Sequence, residues 1–211
     1  MSLTDIQLKE MAKKMHYPLE GVFYKSQLED QTLKYNVGWI VNLEDEFDDE
    51  GRPNDGSHYV CFYVKKCANG NIQPIAFDSY GVAPCKEIVE FIGLGHTPPY
   101  NTKDIQSICG EMCGWYCSAF LYFITTFPNR TNSLYDDCEH FTDLFEDLNK
   151  SSDWKKNEYV LKHFFRDSRK EIRDKKPIEV FEGCGFKPIK VDDIANPHTI
   201  TTHPKEPDLS P

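Results

Sequence analysis

"GSHYVCFYVKKCANGNIQPIAFDSYG", residues 56–81, reads as one β-hairpin with a reactive group at each open end. The run 58–66 is aromatic and β-branched, which suits a pleated, buried strand. "ANGN" at 68–71 holds the Asn-Gly pair favoured by tight hairpin turns, whose central residues need positive φ. Residues 72–78 are the returning strand, where Pro74 has no N–H to donate and so marks an edge or a bulge. His58 opens the first strand and Asp78 ends the second. Antiparallel pairing puts both at the same end of the hairpin.

Elements on either side follow from spacing and punctuation. Thr4 with Gln7 three residues later is a capping-box signature, and Leu8, Met11 and Met15 recur at helical spacing, predicting a helix over 5–15 that stops before Pro18. "YNVGWIVNL" (35–43) predicts a buried strand, and the acidic segment 44–55 a loop. After the hairpin come a short helix over 84–92, a loop "GLGHTPPYNTK" and a short strand at "DIQSI" (104–108). "CGWYCSAFLYFITTF" (113–127) is apolar on nearly all sides, which predicts a buried central helix ended by Pro128. Two further helices are expected over 134–148 and 153–174, the second burying Leu161, Phe164 and Phe165. Strands in the middle with helices around them predict an α+β fold. Residues 1–176 form the expected domain, and the Pro-punctuated stretch 177–211 reads as a disordered tail.

Composition narrows the function classes. The 211 residues carry 39% hydrophobic and 27% charged side chains, ordinary for a globular protein. No apolar run approaches the ~20 residues of a membrane span, and the start lacks a signal peptide's apolar core. A reducing compartment is therefore expected, with the eight cysteines as thiols and the sequons at Asn129 and Asn149 unglycosylated. A net charge of −10 argues against a broad nucleic-acid surface. The acidic run 44–55 and the Lys/Arg-rich 150–176 read as solvated faces.

Three cysteines, Cys109, Cys113 and Cys117, stand at intervals of four before the apolar helix. Metal binding is disfavoured, because residues at that interval drift round a helix and no C-x2-C pair lies nearby. Core filling is the ordinary fate of a buried thiol and suits Cys117 and Cys61. Cys113 differs in its surroundings. A loop-to-helix junction puts its sulfur at a helix N-terminus, where the macrodipole and free N–H groups favour thiolate. Gly114 beside it lets a substrate backbone come close, and Gln106 can offer a side-chain N–H toward the same point. A thiolate, a nearby His and an N–H-lined hole are what acyl transfer by a thiol requires.

Taken in order, "GSHYVCFYVKK", "IAFDSYG" and Gln-x6-"CGWYCSAFL" resemble the adenovirus maturation protease (adenain) family, with relatives in virophages and polinton-like elements. The wider clan includes proteases that process SUMO and other ubiquitin-like proteins. The resemblance covers roughly residues 5–127 and runs His, Asp, Gln, Cys, the reverse of papain's Cys-before-His. It implies a papain-like site with Cys113 as nucleophile, His58 as general base and acid, Asp78 orienting the imidazole, and Gln106 with the Cys113 N–H as oxyanion hole. It implies a groove walled by aromatics, for which Trp39 and Tyr59 are the candidates, and therefore cleavage at glycine-containing sites. No cofactor or metal is implied. The implied substrates are capsid or core precursors, cut by a monomeric enzyme in the host cytoplasm, at the virus factory, and in the virion.

The chain also departs from the family. Tyr59 stands where a Trp often follows the His, and Asp78 where adenain has Glu, as in the SUMO-protease branch. Adenain is basic and uses DNA and a short viral peptide as activators, whereas this acidic chain predicts no strong activation by DNA. Two alternatives stay open on the residues alone. One is an isopeptidase acting on ubiquitin-like modifiers, for which 44–50 is the only candidate exosite; the other is a cysteine-rich structural or zinc-binding protein.

Overall fold

The computed structural model describes residues 3–54, 56–108, 110–126 and 133–165. Helix α1 (Asp5–Met15) begins in a reciprocal cap: the Gln7 N–H donates to Thr4 Oγ1 and the Thr4 N–H to Gln7 Oε1. Two N–H groups without partners inside the helix are thereby satisfied. It ends at His16, and Pro18 bars its continuation. β1 (Leu19–Tyr24), a 3-10 helix (Lys25–Asp30) and β2 (Gly38–Asn42) follow. β3 (Tyr59–Lys66) and β4 (Ile72–Phe77) are the hairpin, which turns through Gly70 at φ 85°. Helices α2 (Lys86–Ile92), α3 (Cys113–Thr126), α4 (Leu134–Thr142) and α5 (Trp154–Phe164) complete the order.

The fold is α+β, on a four-stranded mixed sheet ordered β1-β2-β3-β4. β1 runs parallel to β2, and the other neighbours are antiparallel. No strand is expected at 19–24 from the sequence. Parallel partners need a crossover of about a dozen residues, and the 3-10 helix with the loop to Gly38 supplies it. Pro74 sits on the outer strand, opposite Val64. Its strand's free edge is partly taken up by the loop at 99–100, since the Ala76 N–H donates to the Pro99 carbonyl and Ala76 bridges Tyr100.

Both faces of the sheet are covered, which is why β2 and the first part of β3 are buried without alternation. One face carries Trp39, Val41, Val60, Phe62, Val64 and Ala76, packed with Leu28 and with Ile88 and Ile92 of α2. The other meets α3: Phe77 stacks on Phe120 with centroids 4.4 Å apart, and the Cys61 thiol lies 3.8 Å from the Cys117 carbonyl. A Cβ on Gly38 would come within 2.7 Å of Leu121, so α3 lies tight against β2. α3 is buried along nearly all its length, between the sheet, α1 and α4.

Two expected elements differ. "DIQSI" is not a strand: the N–H groups of Ile105 and Gln106 both donate to the Ser79 carbonyl, at 2.8 and 3.1 Å. Successive N–H groups of a strand would point to opposite sides. Helix α4 stops at Thr142, short of 148, and Asn157 holds the segment that follows by accepting from the Glu146 N–H and donating to the Glu146 carbonyl. The chain divides into two compact units, 1–161 and 162–211, and of the second only 162–165 is described. The expected helix beyond 165 and tail from 177, with Cys109 and Asn129, lie outside the described residues. No helix among the described residues is long and apolar enough to cross a membrane.

Candidate active site

His58 immediately precedes β3 and Asp78 immediately follows β4, so the pairing of the two strands delivers both side chains to one end of the sheet. His58 Nε2 and Asp78 Oδ1 are 2.8 Å apart, with side chains 14% and 8% exposed. The same carboxylate oxygen accepts the Tyr80 N–H at 2.9 Å. Asn101 clamps the Asp78 backbone from both sides, accepting its N–H at 2.9 Å and donating to its carbonyl. Gly81 closes the turn after Asp78 at φ 69°, and a Cβ there would meet the Thr102 backbone at 2.7 Å.

Cys113, buried as the first residue of α3, lies close enough to His58 to act on its imidazole. Burial, the largest single influence on His58, disfavours the imidazolium. The hydrogen bonds and charges of Asp78 and Cys113 together outweigh it, and the pKa is raised to about 9. The Tyr80 ring stacks on the imidazole with centroids 4.6 Å apart and planes 27° from parallel. Cys61 and Cys117 are core thiols, as their sequence context suggests: both are buried, and Cys117 Sγ lies 3.3 Å from the Tyr59 carbonyl. Burial raises the Cys117 and Cys138 thiols well above their usual range, which keeps them protonated. The six described cysteines are all free.

Gln106 is 2% exposed. Its Oε1 accepts the Ser79 hydroxyl at 2.8 Å, and its Nε2 lies 2.7 Å from the Gly110 carbonyl and 3.0 Å from the Tyr80 hydroxyl. A carbonyl only accepts, so the contact with Gly110 fixes which end of the carboxamide is nitrogen. The backbone of Ile105 and Gln106 hangs on the Ser79 carbonyl, while the Tyr116 hydroxyl and Asn157 donate to the Ile105 carbonyl. The "DSY" turn after β4 therefore positions both His58 and Gln106. Sequence reasoning assigned no role to Ser79, Tyr80 or Asn101. The first two adjoin Asp78 and could have been found by asking what that turn faces; Asn101, in a Pro-rich loop, carries no such signal.

The structure brings His58, Asp78, Gln106 and Cys113 together, with Tyr59 beside them, but places two other expected residues elsewhere. Trp39 is not a groove wall. It is 1% exposed on the α2 face of the sheet, with its ring 5.0 to 5.7 Å from those of Phe23, Phe62 and Phe91. The alternation of β2 decides this, because a side chain on that face cannot reach the α3 side. Gly114 does not face an open groove either. A Cβ there would meet Leu8 at 3.2 Å, Leu3 at 3.4 Å and Tyr59 at 3.5 Å, so its small size lets α1 approach α3. Tyr59, 9% exposed, lines a hollow of about 810 Å³ with Leu3, Thr4, Tyr24, Asn42 and Ser57. A second hollow, of about 520 Å³, borders Gln106 with Ser107, Ile108, Leu148 and Trp154.

An imidazole held between a carboxylate and a thiol, beside a buried carboxamide, can activate the thiol and hand its proton to a leaving group. No protein-family model matches the chain, and no curated protein matches it in sequence.

Proposed function

We propose that this chain is a cysteine endopeptidase of the adenain type, papain-like with its catalytic residues in reversed chain order. The observation that carries the reading is the bond of 2.8 Å between His58 Nε2 and Asp78 Oδ1, with Cys113 close enough to act on the same imidazole. Nε2 is held by Asp78, which leaves Nδ1 to serve the sulfur. His58 takes the thiol proton, giving a thiolate–imidazolium pair. The sulfur attacks the scissile carbonyl, a C–S bond forms, and the carbonyl π pair moves onto oxygen. As the tetrahedral species collapses, the C–N bond breaks and the imidazolium protonates the departing amine. Water, deprotonated by the neutral imidazole, then hydrolyses the thioester. The N–H of Cys113, at the start of a helix, has no acceptor within it and can serve the developing oxyanion from one side. The Gln106 side of the site serves it from the other.

The hollow at Tyr59 and the one at Gln106 are the two places proposed for an extended peptide to lie. The substrates proposed are capsid or core precursors cut during virion maturation in the host cytoplasm, at sites containing glycine. With Trp39 in the core, Tyr59 is the remaining aromatic for a wall that excludes side chains. The test is to incubate the protein with its co-encoded capsid proteins and with a thiol alkylator. The parent should cut the precursors and be labelled at Cys113; Cys113→Ala should do neither, and Cys117→Ser should do both. Labelling at Cys109, or cleavage that survives Cys113→Ala, would remove the assignment.

A further inference from the structure

The carboxamide of Gln106 has two hydrogens, and in this structure both have acceptors. The Gly110 carbonyl takes one at 2.7 Å and the Tyr80 hydroxyl the other at 3.0 Å. The buried Ser79 hydroxyl holds the opposite end of the amide at 2.8 Å. Gln106 is thus held at three points, and both of its N–H groups are committed, one of them to the Tyr80 oxygen. That oxygen accepts from Gln106 and still has its own hydrogen to give. The Tyr80 ring lies against the His58 imidazole, its backbone N–H is bonded to Asp78, and its phenol is within electrostatic reach of Cys113. One residue therefore touches the imidazole, the carboxylate and the carboxamide.

We infer that Tyr80 is a further catalytic residue, whose hydroxyl donates to the tetrahedral oxygen while Gln106 stands behind it as polarising donor. This rests on the cysteine-protease reading above. An O–H that is itself accepting a hydrogen bond is a stronger donor. Burial raises the phenol above its ordinary range despite the Gln106 bond, so it remains an O–H at neutral pH. Proton bookkeeping is unaffected: the hydroxyl lends a hydrogen bond as the carbonyl π pair moves onto oxygen and withdraws when the pair returns. His58 remains the group that transfers the proton.

Tyr80→Phe keeps the ring against His58 and removes only the hydroxyl, so four measurements separate the possibilities. Turnover of a fluorogenic peptide ending in Gly-Gly-aminomethylcoumarin should fall on the order of 10², the effect of losing one oxyanion donor, with KM little changed. Binding of the matching peptide aldehyde, whose thiol adduct carries the tetrahedral oxygen, should weaken by a similar factor. Alkylation of Cys113 by iodoacetamide develops no oxyanion, and its rate should stay within about twofold of the parent's. In Gln106→Ala/Tyr80→Phe, turnover should be close to that of the worse single variant, because the two donors act in series. Parent-like turnover and aldehyde affinity in Tyr80→Phe would overturn the donor role and leave the protease reading standing. Equal losses in alkylation and turnover would mean that Tyr80 acts through the thiolate pair, which also overturns it. A parent that neither cuts the peptide nor binds the aldehyde, and is not labelled at Cys113, overturns the protease reading itself.

Discussion

His58 is the residue on which the site's chemistry turns, because three neighbours act on one ring. Asp78 bonds its Nε2, Cys113 acts on it from close by and Tyr80 covers a face. Its pKa, raised to about 9 against an ordinary 6.5, has a signed consequence for stability. Below about 6.5 the proton is bound in folded and unfolded chains alike, and the interaction contributes in full. As pH rises through 9 the folded protein loses that proton and the contribution with it. In the proposed mechanism the imidazolium is also the acid that protonates the leaving amine, so the pH–rate profile should have an alkaline limb near 9. NMR titration should place the His58 pKa close to the same value. Asp78→Asn should lower both and leave a slow enzyme, since the carboxylate orients the ring and does not carry protons. A limb unmoved in Asp78→Asn would assign it to another group.

The β3–β4 hairpin and the turn after it form the element that builds the site. Strand pairing sets the separation of residues 58 and 78; the turn through Ser79, Tyr80 and Gly81 then reaches across to Gln106. Gly81 holds φ 69°, and a Cβ there would press on the Thr102 backbone at 2.7 Å. Gly81→Ala therefore combines a disfavoured dihedral with a clash that no side-chain rotation relieves. It should cost about 1–3 kcal/mol and shift Asn101 relative to Asp78. Turnover should then fall more than the fraction of folded protein measured by circular dichroism; equal losses would mean the turn serves stability alone. On the other face of the sheet, Phe120 is fully buried and stacks on Phe77 and edge-on to Phe141. Phe120→Ala should cost about 3–5 kcal/mol in urea unfolding, because α3 is enclosed and has little room to collapse into the void.

For the whole molecule the governing quantity is charge. At −10, repulsion of a polyanion acts over the Debye length, about 8 Å at 0.15 M salt. Adding DNA at that salt should leave the rate of peptide hydrolysis within about twofold. A large acceleration would require a local basic surface strong enough to overcome the net charge, of the kind residues 150–176 would have to form. The same acidity extends to the loop at 44–55, where Asp48 accepts the N–H groups of Glu50 and Arg52 and pairs with the Arg52 side chain. That loop is tied back to the body through Asn42, which accepts from Glu44 and Ser57, and through the Tyr24 hydroxyl on the Asn54 carbonyl.

What is local in this protein is legible in its residues alone. Thr4 and Gln7 announce the start of α1, Asn69-Gly70 the hairpin turn, and the unbroken apolar run after Cys113 a buried helix, because each is decided by backbone preference within a few residues. A hairpin is local too, so the meeting of His58 and Asp78 follows from the residue pattern of 56–81. Whatever depends on distant partners is settled by packing instead. β1 exists as a strand only because β2 accepts it in parallel across a crossover, and nothing in 19–24 names that partner. Trp39 and Tyr59 are both strand aromatics near the site in sequence, but the pleat sends one to the α2 face and leaves the other beside Cys113. Gln106 is recognisable as a donor from its place ahead of Cys113. That its two hydrogens are spent on Gly110 and Tyr80 is not, because a carboxamide's partners are chosen by three segments meeting in space and not by the residues on either side of it.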